Sequence, residues 1–549
     1  MSTRPIRHLI WVVRSTLLAT LTTATLLAMV PAVQAANPAA NPAANPAAGP
    51  SVAWLNAAAD ADIERAFAQA RAEKKPVLLY WGAKWCPPCN QLKATLFNRA
   101  DFIERSKSFV AVHIDGDLPG AQKLGGRFKV RGYPTMILMA ADGSEITRLP
   151  GEVDAPQVMN VLQLGLAGGR PVKAVLADAR SGKPVSGAEW RMLAYYAWDV
   201  DEAQLVPAAE RAGLLAQLSM ACPASEAESA TRLLLKALAE SDDGKGIKPD
   251  AALRQRVAKL LADPAAARAQ MDVVVNYAAD ITKALAPQPG ADRKALGVAF
   301  NTALQRLQAD ASLSRADRLG ALTSRVALAR IDLPKDERQP KLAPALVQQV
   351  REQVAHDDRE MTDPYERQAV ISSGAWALSE VGLWAESDAL LKANLSKSHS
   401  PYYLMSQLAG NARKQGRPDE ALRWYEESYA KSEGPATRLQ WGAGYISALV
   451  ELAPKDEARI ERVARQLFAE AGKDPAAFHE RSARSLQRVG NKLAEWNQGG
   501  QHDAVIRRLN DGAPGQAGLA SVCAKLDAAD AQRATCDGIL KSAMKKSAT

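Results

Sequence analysis

Cysteine is scarce in this chain: five residues among 549, at Cys86, Cys89, Cys222, Cys523 and Cys536. So few crosslinks exclude a small disulfide-built scaffold, and the odd number leaves at least one thiol unpaired. Aromatic residues make up only 5% of the chain, and the alanine-rich remainder leans towards helix. Histidine is also sparse. His8, His113, His356, His399, His479 and His502 are too scattered to complete a four-ligand zinc site around one cysteine pair, so no metal is expected. No Lys/Arg cluster is interleaved with aromatics, which argues against a nucleic-acid partner. The formal net charge is +9, and three of those charges, Arg4, Arg7 and Arg14, lie in a segment expected to be removed, leaving +6. That modest excess over so long a chain singles out no acidic partner. Beyond Val30, no stretch is long and apolar enough to span a bilayer.

The first 35 residues read as a secretory signal peptide. Arg4, Arg7 and Arg14 supply the positive region, Leu17 to Val30 is mostly apolar, and Val33-Gln34-Ala35 is a small-residue cleavage site. The alternative is an uncleaved N-terminal membrane anchor, because Leu9 to Val30 is only lightly interrupted. Export places the mature chain in an oxidising compartment, most simply a bacterial periplasm. Residues 36–50 repeat Asn-Pro-Ala-Ala and read as a semi-extended tether, since each proline holds the preceding Asn extended and nothing there can pack.

The chain is too long for one ordinary core, so two or more domains are expected. The first, over 51–168, alternates helix and strand. Asp60 to Lys74 carries Ile63, Ala66, Phe67 and Ala70 on one stripe, as an amphipathic helix does. Strands are expected at Val77 to Trp81, Phe109 to Asp115 and Thr135 to Ala140, with Asp142-Gly143 turning into a last strand at Ile146 to Leu149. Helices are expected from Cys86 to Ala94, Asp101 to Ser106 and Ala121 to Phe128, and a final one carries Val158, Val161 and Leu162. This is a mixed α/β domain.

The chemistry concentrates at Trp85-Cys86-Pro87-Pro88-Cys89. Two cysteines at i and i+3 share a helix face, about 5–6 Å apart at their Cβ atoms, close enough to form a reversible disulfide. Pro87 and Pro88 suit a first helical turn, where their missing N–H groups would have no partner. The positive helix end favours a thiolate at Cys86. Cys86 is therefore the expected nucleophile and Cys89 the resolving thiol.

These residues, with the strand at Phe109 to Asp115 and Val130-Arg131-Gly132-Tyr133-Pro134-Thr135, resemble the thioredoxin superfamily. Lys75-Pro76-Val77-Leu78-Leu79 and Gly151-Glu152-Val153-Asp154 are similar to exported thioredoxin-like thiol-disulfide proteins. The resemblance implies a thioredoxin fold, a cis bond before Pro134, and a substrate-binding face made of Trp85, Pro87, Tyr133 and Pro134. It implies that the backbone of Tyr133 is an open edge for an incoming substrate segment. It also implies protein disulfide or dithiol substrates, a membrane-linked electron donor, and no cofactor. The sequence departs from the family in one respect: the buried acid expected six residues before the first cysteine is Tyr80, and its lysine partner falls near Ala111. His113, on the same strand face, is a candidate proton-transfer group, set against the plainer reading of a structural histidine.

From Gly168 onward no strand pattern is found. Residues 169–549 read as an α-helical domain, broken at Asp242-Asp243-Gly244, Ala286-Pro287-Gln288-Pro289-Gly290 and Leu333-Pro334-Lys335. Ala375, Gly382 and Leu391 recur 34 residues later as Ala409, Gly416 and Tyr425, with Ala421 where two helices must touch. This period resembles tetratricopeptide repeats, clearest over 365–432, with a less regular copy near Trp441 and Ala443. Such arrays commonly hold a peptide or protein partner. Cys523 and Cys536 are candidates for a structural disulfide, with Cys222 left as a buried small hydrophobe.

The function expected is an exported thiol-disulfide oxidoreductase, in the reductase direction, acting on proteins recruited by the helical repeats. The alternatives are a helical-repeat binding or scaffold protein with an accessory redox domain, and a disulfide oxidase or isomerase.

Overall fold

The computed structural model describes residues 51–201, 204–241, 246–513 and 515–544. The expected signal segment and the Asn-Pro-Ala-Ala tether lie outside the described residues, as does the break at Asp242-Asp243-Gly244.

A five-stranded sheet forms the N-terminal unit, built from β1 (Leu55–Asn56), β2 (Val77–Gly82), β3 (Val110–Asp115), β4 (Thr135–Met139) and β5 (Glu145–Leu149) in the order β1-β3-β2-β4-β5. β3 runs parallel to both β1 and β2, whereas β4 is antiparallel to β2 and β5. The two-residue β1 was not legible as a strand, being too short to carry a period.

β2 is buried along its whole length, as its unbroken apolar run requires of a strand covered on both faces. Its alternate side chains enter two different cores. Val77, Leu79 and Trp81 pack with Ile63, Ala66, Phe67 and Ala70 of α1 (Asp60–Glu73). Leu78 and Tyr80 point the other way, towards α2 (Pro87–Leu92), α3 (Ala100–Ser106) and, beyond α4 (Ala121–Arg127) in the chain, α5 (Ala155–Leu166). α4 itself joins α1, contributing Ala121 and Leu124 to the first core. The expected helix from Cys86 to Ala94 is a shorter α-helix that widens into a π-helical turn at Lys93–Phe97, and this turn buries Leu96 and Phe97.

The second core does not stop at α5. It continues without a gap through Val172, Leu176, Trp190, Leu193 and Leu215 to Leu233, so the first helices of the C-terminal region share their apolar interior with the sheet. The rest of the described chain is helical, with one departure from expectation: a small antiparallel hairpin pairs Gly512–Ala513 with Gln516–Ala517. Its turn needs a left-handed residue, and Gly512 and Gly515 both have positive φ. Alternation over two residues is too brief to read from sequence.

Helices pair at the expected 34-residue offset, Pro364–Glu380 with Trp384–Asn394 and Pro401–Lys414 with Pro418–Lys431, followed by Pro435–Leu452 with Glu457–Ala471. Gly382 and Gly416 sit in the turns at φ +86° and +70°, a conformation that favours glycine. Ala375, Ala409 and Ala421 are fully buried, and Ser387 Oγ donates to the Ala375 carbonyl at 2.6 Å, which needs a close approach of the two helices. Cys523 and Cys536 are disulfide-bonded, with Cα atoms 5.6 Å apart, and Cys222 is a buried free thiol.

A buried ion pair ties three helices together near the sheet. Arg232 donates Nη1 and Nη2 to the two carboxylate oxygens of Asp272 at 2.8 and 2.6 Å, and Nε to the Ala194 carbonyl at 3.1 Å. Burial favours the neutral acid, but the guanidinium holds the Asp272 carboxyl below the usual carboxylate range. Asp272→Ala is expected to cost about 3–5 kcal/mol in chemical denaturation, because it leaves a buried cation unpaired. The double variant Arg232→Met with Asp272→Leu should recover most of that loss.

Candidate functional site

The site forms where β2 ends. Gly82 closes the strand, the chain turns through Ala83 to Trp85, and Cys86 becomes the N-cap of α2. Pro87 and Pro88 occupy the first two helical positions, where no N–H is missed. Cys86 and Cys89 are joined in a disulfide, with Cα atoms 5.3 Å apart. Cys86 Sγ also accepts the Cys89 N–H at 3.2 Å, so the helix N-terminus is directed at that sulfur. This is the geometry that stabilises a thiolate at Cys86 when the bond is reduced. Asn90 holds the turn in place, donating Nδ2 to the carbonyls of Lys84 and Cys86 at 2.9 and 2.8 Å.

The Tyr133-Pro134 bond is cis, and it brings the Tyr133 carbonyl to 3.7 Å from Cys86 Sγ. Pro134 is buried beneath Gly151, where a Cβ would meet the proline ring at 2.9 Å. Gly116 is needed for a similar reason: a Cβ there would lie 2.1 Å from the Tyr133 hydroxyl. That hydroxyl accepts a hydrogen bond from Gln122 Nε2 at 2.9 Å. The structure thus brings Trp85, Pro87, Tyr133 and Pro134 around the two cysteines.

Tyr80, in the place of the expected acid, lies under this turn. Its hydroxyl is buried, and burial raises it far above the ordinary phenol value, so it stays protonated. Its ring stacks on His113 at 5.1 Å, the registered partner on β3. Burial, reinforced by the Lys93 ammonium, pulls His113 down to about 4. Asp115 is raised, by burial first and then by Asp117.

Tyr133, whose backbone is expected to offer an open edge, is half-buried, and Arg481 lies over its ring. Residues from four helices of the C-terminal region reach the tip. Trp85 Nε1 donates to Thr437 Oγ1 at 2.9 Å and to Asp117 Oδ2 at 3.0 Å. The Trp85 ring stacks on Tyr403 at 5.8 Å and meets Trp441 edge-on at 5.1 Å. Arg481 lies over both Trp85 and Tyr133, at 5.3 and 5.2 Å, and pairs with Asp117. Gln368 donates to the Trp85 carbonyl at 3.2 Å. Cys86 is left 2% exposed and Cys89 0%. Of these covering residues, only Trp441 was singled out in the sequence, as part of the irregular third repeat, while Gln368 and Tyr403 lie within the 365–432 repeat stretch. Thr437 and Arg481 had none, because their partners on the α/β unit are hundreds of positions away, and Asp117 had none because it meets them only in the fold.

Residues 63–165, which contain all of the cysteine turn and the cis-proline loop, match the family model described as a thioredoxin-like domain. Over 107 residues the chain is 35% identical to the thiol:disulfide interchange protein DsbD of Pseudomonas fluorescens, covering 19% of this chain and 18% of that protein. It is 33% identical over 107 residues to DsbD 2 of Pseudomonas aeruginosa, covering 19% and 18%. To DsbD of Cronobacter sakazakii it is 32% identical over 109 residues, 19% of each chain. The chain therefore spans less than a fifth of the length of these curated relatives. Among the described residues no helix is long and apolar enough to cross a membrane, and no cluster of side chains is suited to a metal ion.

The depressed His113 value has a measurable sign. A folded-state value of about 4 against roughly 6.5 unfolded means that folding disfavours protonation, so stability is full above the unfolded value and declines as pH falls towards 4. The His113 ring resonance in a pH titration should stay at its neutral position from pH 8 down to about 5, well below the ordinary midpoint for histidine. A midpoint near 6.5 would contradict the buried stacking on Tyr80.

Proposed function

We propose, since residues 63–165 form a thioredoxin-like domain, that this chain is a thiol-disulfide oxidoreductase whose working groups are Cys86 and Cys89. The observation that carries the reading is the Cys86-Cys89 disulfide at the N-terminus of α2, beside the cis Tyr133-Pro134 bond. The names of the relatives, thiol:disulfide interchange proteins, support the same chemistry.

In the reduced protein the Cys86 thiolate attacks one sulfur of a substrate disulfide. The S–S bond breaks, one substrate thiolate leaves, and a mixed disulfide joins Cys86 to the other sulfur. Cys89, as thiolate, then attacks the Cys86 sulfur and displaces the second substrate thiolate. The substrate has gained two electrons and two protons, and Cys86-Cys89 is oxidised. A dithiol protein must reduce it again, and we assign that role to a membrane-linked donor. The reductase direction is our reading, supported by the resemblance to exported thioredoxin-like proteins.

We further assign Trp85, Pro87, Tyr133 and Pro134 to substrate contact, residues 1–35 to a cleaved signal peptide, 36–50 to a tether, and the compartment to the periplasm. The division at 168/169 is kept in this scheme as a division of roles, although the apolar core crosses it. The paired helices over 365–432 are read as tetratricopeptide-like repeats that recruit the protein substrate. Their 34-residue offset and left-handed turn glycines support this.

Cys89→Ser should accumulate covalent mixed disulfides through Cys86, whereas Cys86→Ser should accumulate none. Both are read on non-reducing gels after acid quenching. Equal trapping by the two variants would reject the assignment of nucleophile and resolving thiol.

A further inference from the structure

The C-terminal region is attached to the α/β unit in two physically different ways. On the side of α5 the attachment is apolar and continuous, from Val158, Val161 and Leu162 through Val175 and Trp190 to Leu233. Separating these surfaces would expose a core, so this attachment is permanent. At the reactive tip the contact is of another kind. The interior of the later helices, including Leu408, Leu439 and Leu486, forms its own cluster, and the cysteine turn forms a separate small one with Ala83, Trp85 and Tyr133. α2 lies close against Pro364–Glu380, and the side-chain contacts that join the two regions are polar and aromatic, among them Gln91 Nε2 donating to Asp317 Oδ1 at 2.8 Å.

The centre of this second contact is Asp117, which accepts from Trp85 Nε1, from Thr437 Oγ1 and from the Arg481 guanidinium. Around it lie the stacked rings of Trp85 and Tyr403, the Gln368 and His399 contacts to the carbonyls of Trp85 and Lys84, and the exposed Lys84–Glu433 pair at 2.9 Å. Gly434 is close enough that a Cβ would lie 2.7 Å from Asp117 Cβ. Contacts of this composition, with charged and hydrogen-bonded groups that water can satisfy after separation, are typical of surfaces that part and rejoin.

We propose that the helical face carrying Gln368, Tyr403, Thr437, Trp441 and Arg481 is an intramolecular cover seated on the substrate-docking face of the α/β unit, and that protein disulfides reach Cys86 only when it lifts. The cover occupies the same Trp85 and Tyr133 surface that an incoming polypeptide needs, and it leaves almost none of Cys86 accessible. The apolar attachment near α5 keeps the two regions together while the polar contact opens. The inference rests on the thiol-disulfide reading for its consequence, while the cover itself is a matter of access.

The test uses the full chain carrying Cys89→Ser, so that Cys86 is a free thiol beside the buried Cys222 and the bonded Cys523 and Cys536. Alkylation of Cys86 by a polymer-linked maleimide is timed with the cover intact and with Thr437→Val, which removes two hydrogen bonds around Asp117 at nearly constant volume. Alkylation should accelerate at least about tenfold in the variant, the change expected for losing bonds to a charged acceptor. Glu433→Lys, a substitution at an exposed position that sets two like charges together, provides a second opening and should accelerate it in the same direction. Unchanged rates in both variants overturn the cover. The same samples, offered a folded protein disulfide, separate the two claims. Faster alkylation with no mixed disulfide formed in any sample leaves the cover standing and rejects the redox reading. Mixed disulfide formation at equal rates, with unchanged alkylation, does the reverse.

Discussion

The burial of β2 on both faces and both edges is the constraint from which the remaining geometry follows. Its neighbours are β3 on one side and β4 on the other, so every backbone group from Val77 to Trp81 is committed to the sheet. The chain leaves the strand at Gly82, and Cys86 caps the helix that follows. The same pairing sets Trp81 opposite Thr135, which brings the cis-proline loop immediately before β4 to the same end of the sheet. The reactive turn and the loop that packs against it are therefore placed by strand register.

Polarity then decides which contacts of the helical region are fixed and which can open. Apolar side chains of α5 run on into the first helices and fuse the two regions on that side. At the tip the helices arrive with Thr437, Arg481 and Gln368, and they meet the Asp117 carboxylate, the Trp85 indole N–H and the Trp85 carbonyl. A hydrogen-bonded carboxylate such as Asp117 fixes orientation well when its partners are present and is rehydrated at modest cost when they leave. The contrast gives one chain a rigid joint and a separable one.

Much of the α/β unit was legible because its signals are local. The stripe of Ile63, Ala66, Phe67 and Ala70 is the buried face of α1, and the Asp142-Gly143 turn leads into β5 as its dipeptide implies. The cysteine turn was legible for the same reason, since capping, proline placement and i, i+3 spacing all act within one helical turn. Where the reading was incomplete, the cause was length or distance. β1 is too short to show alternation, and the π-turn at Lys93–Phe97 reflects how Leu96 and Phe97 fit beneath the sheet. His113 was singled out for its chemistry, but its environment depends on the ring of Tyr80, thirty-three positions earlier.

By itself the sequence determined the α/β unit, the dithiol turn, the helical character of the remainder and the 34-residue pairing of helices, because periodicity and capping are properties of neighbouring residues. Only the tertiary structure decided that the helical region returns to the reactive tip and encloses Trp85. That outcome depends on Asp117 meeting Thr437 and Arg481, groups separated by 320 and 364 positions. No local pattern encodes such a meeting. It emerges from the summed angles of every helix packed between them.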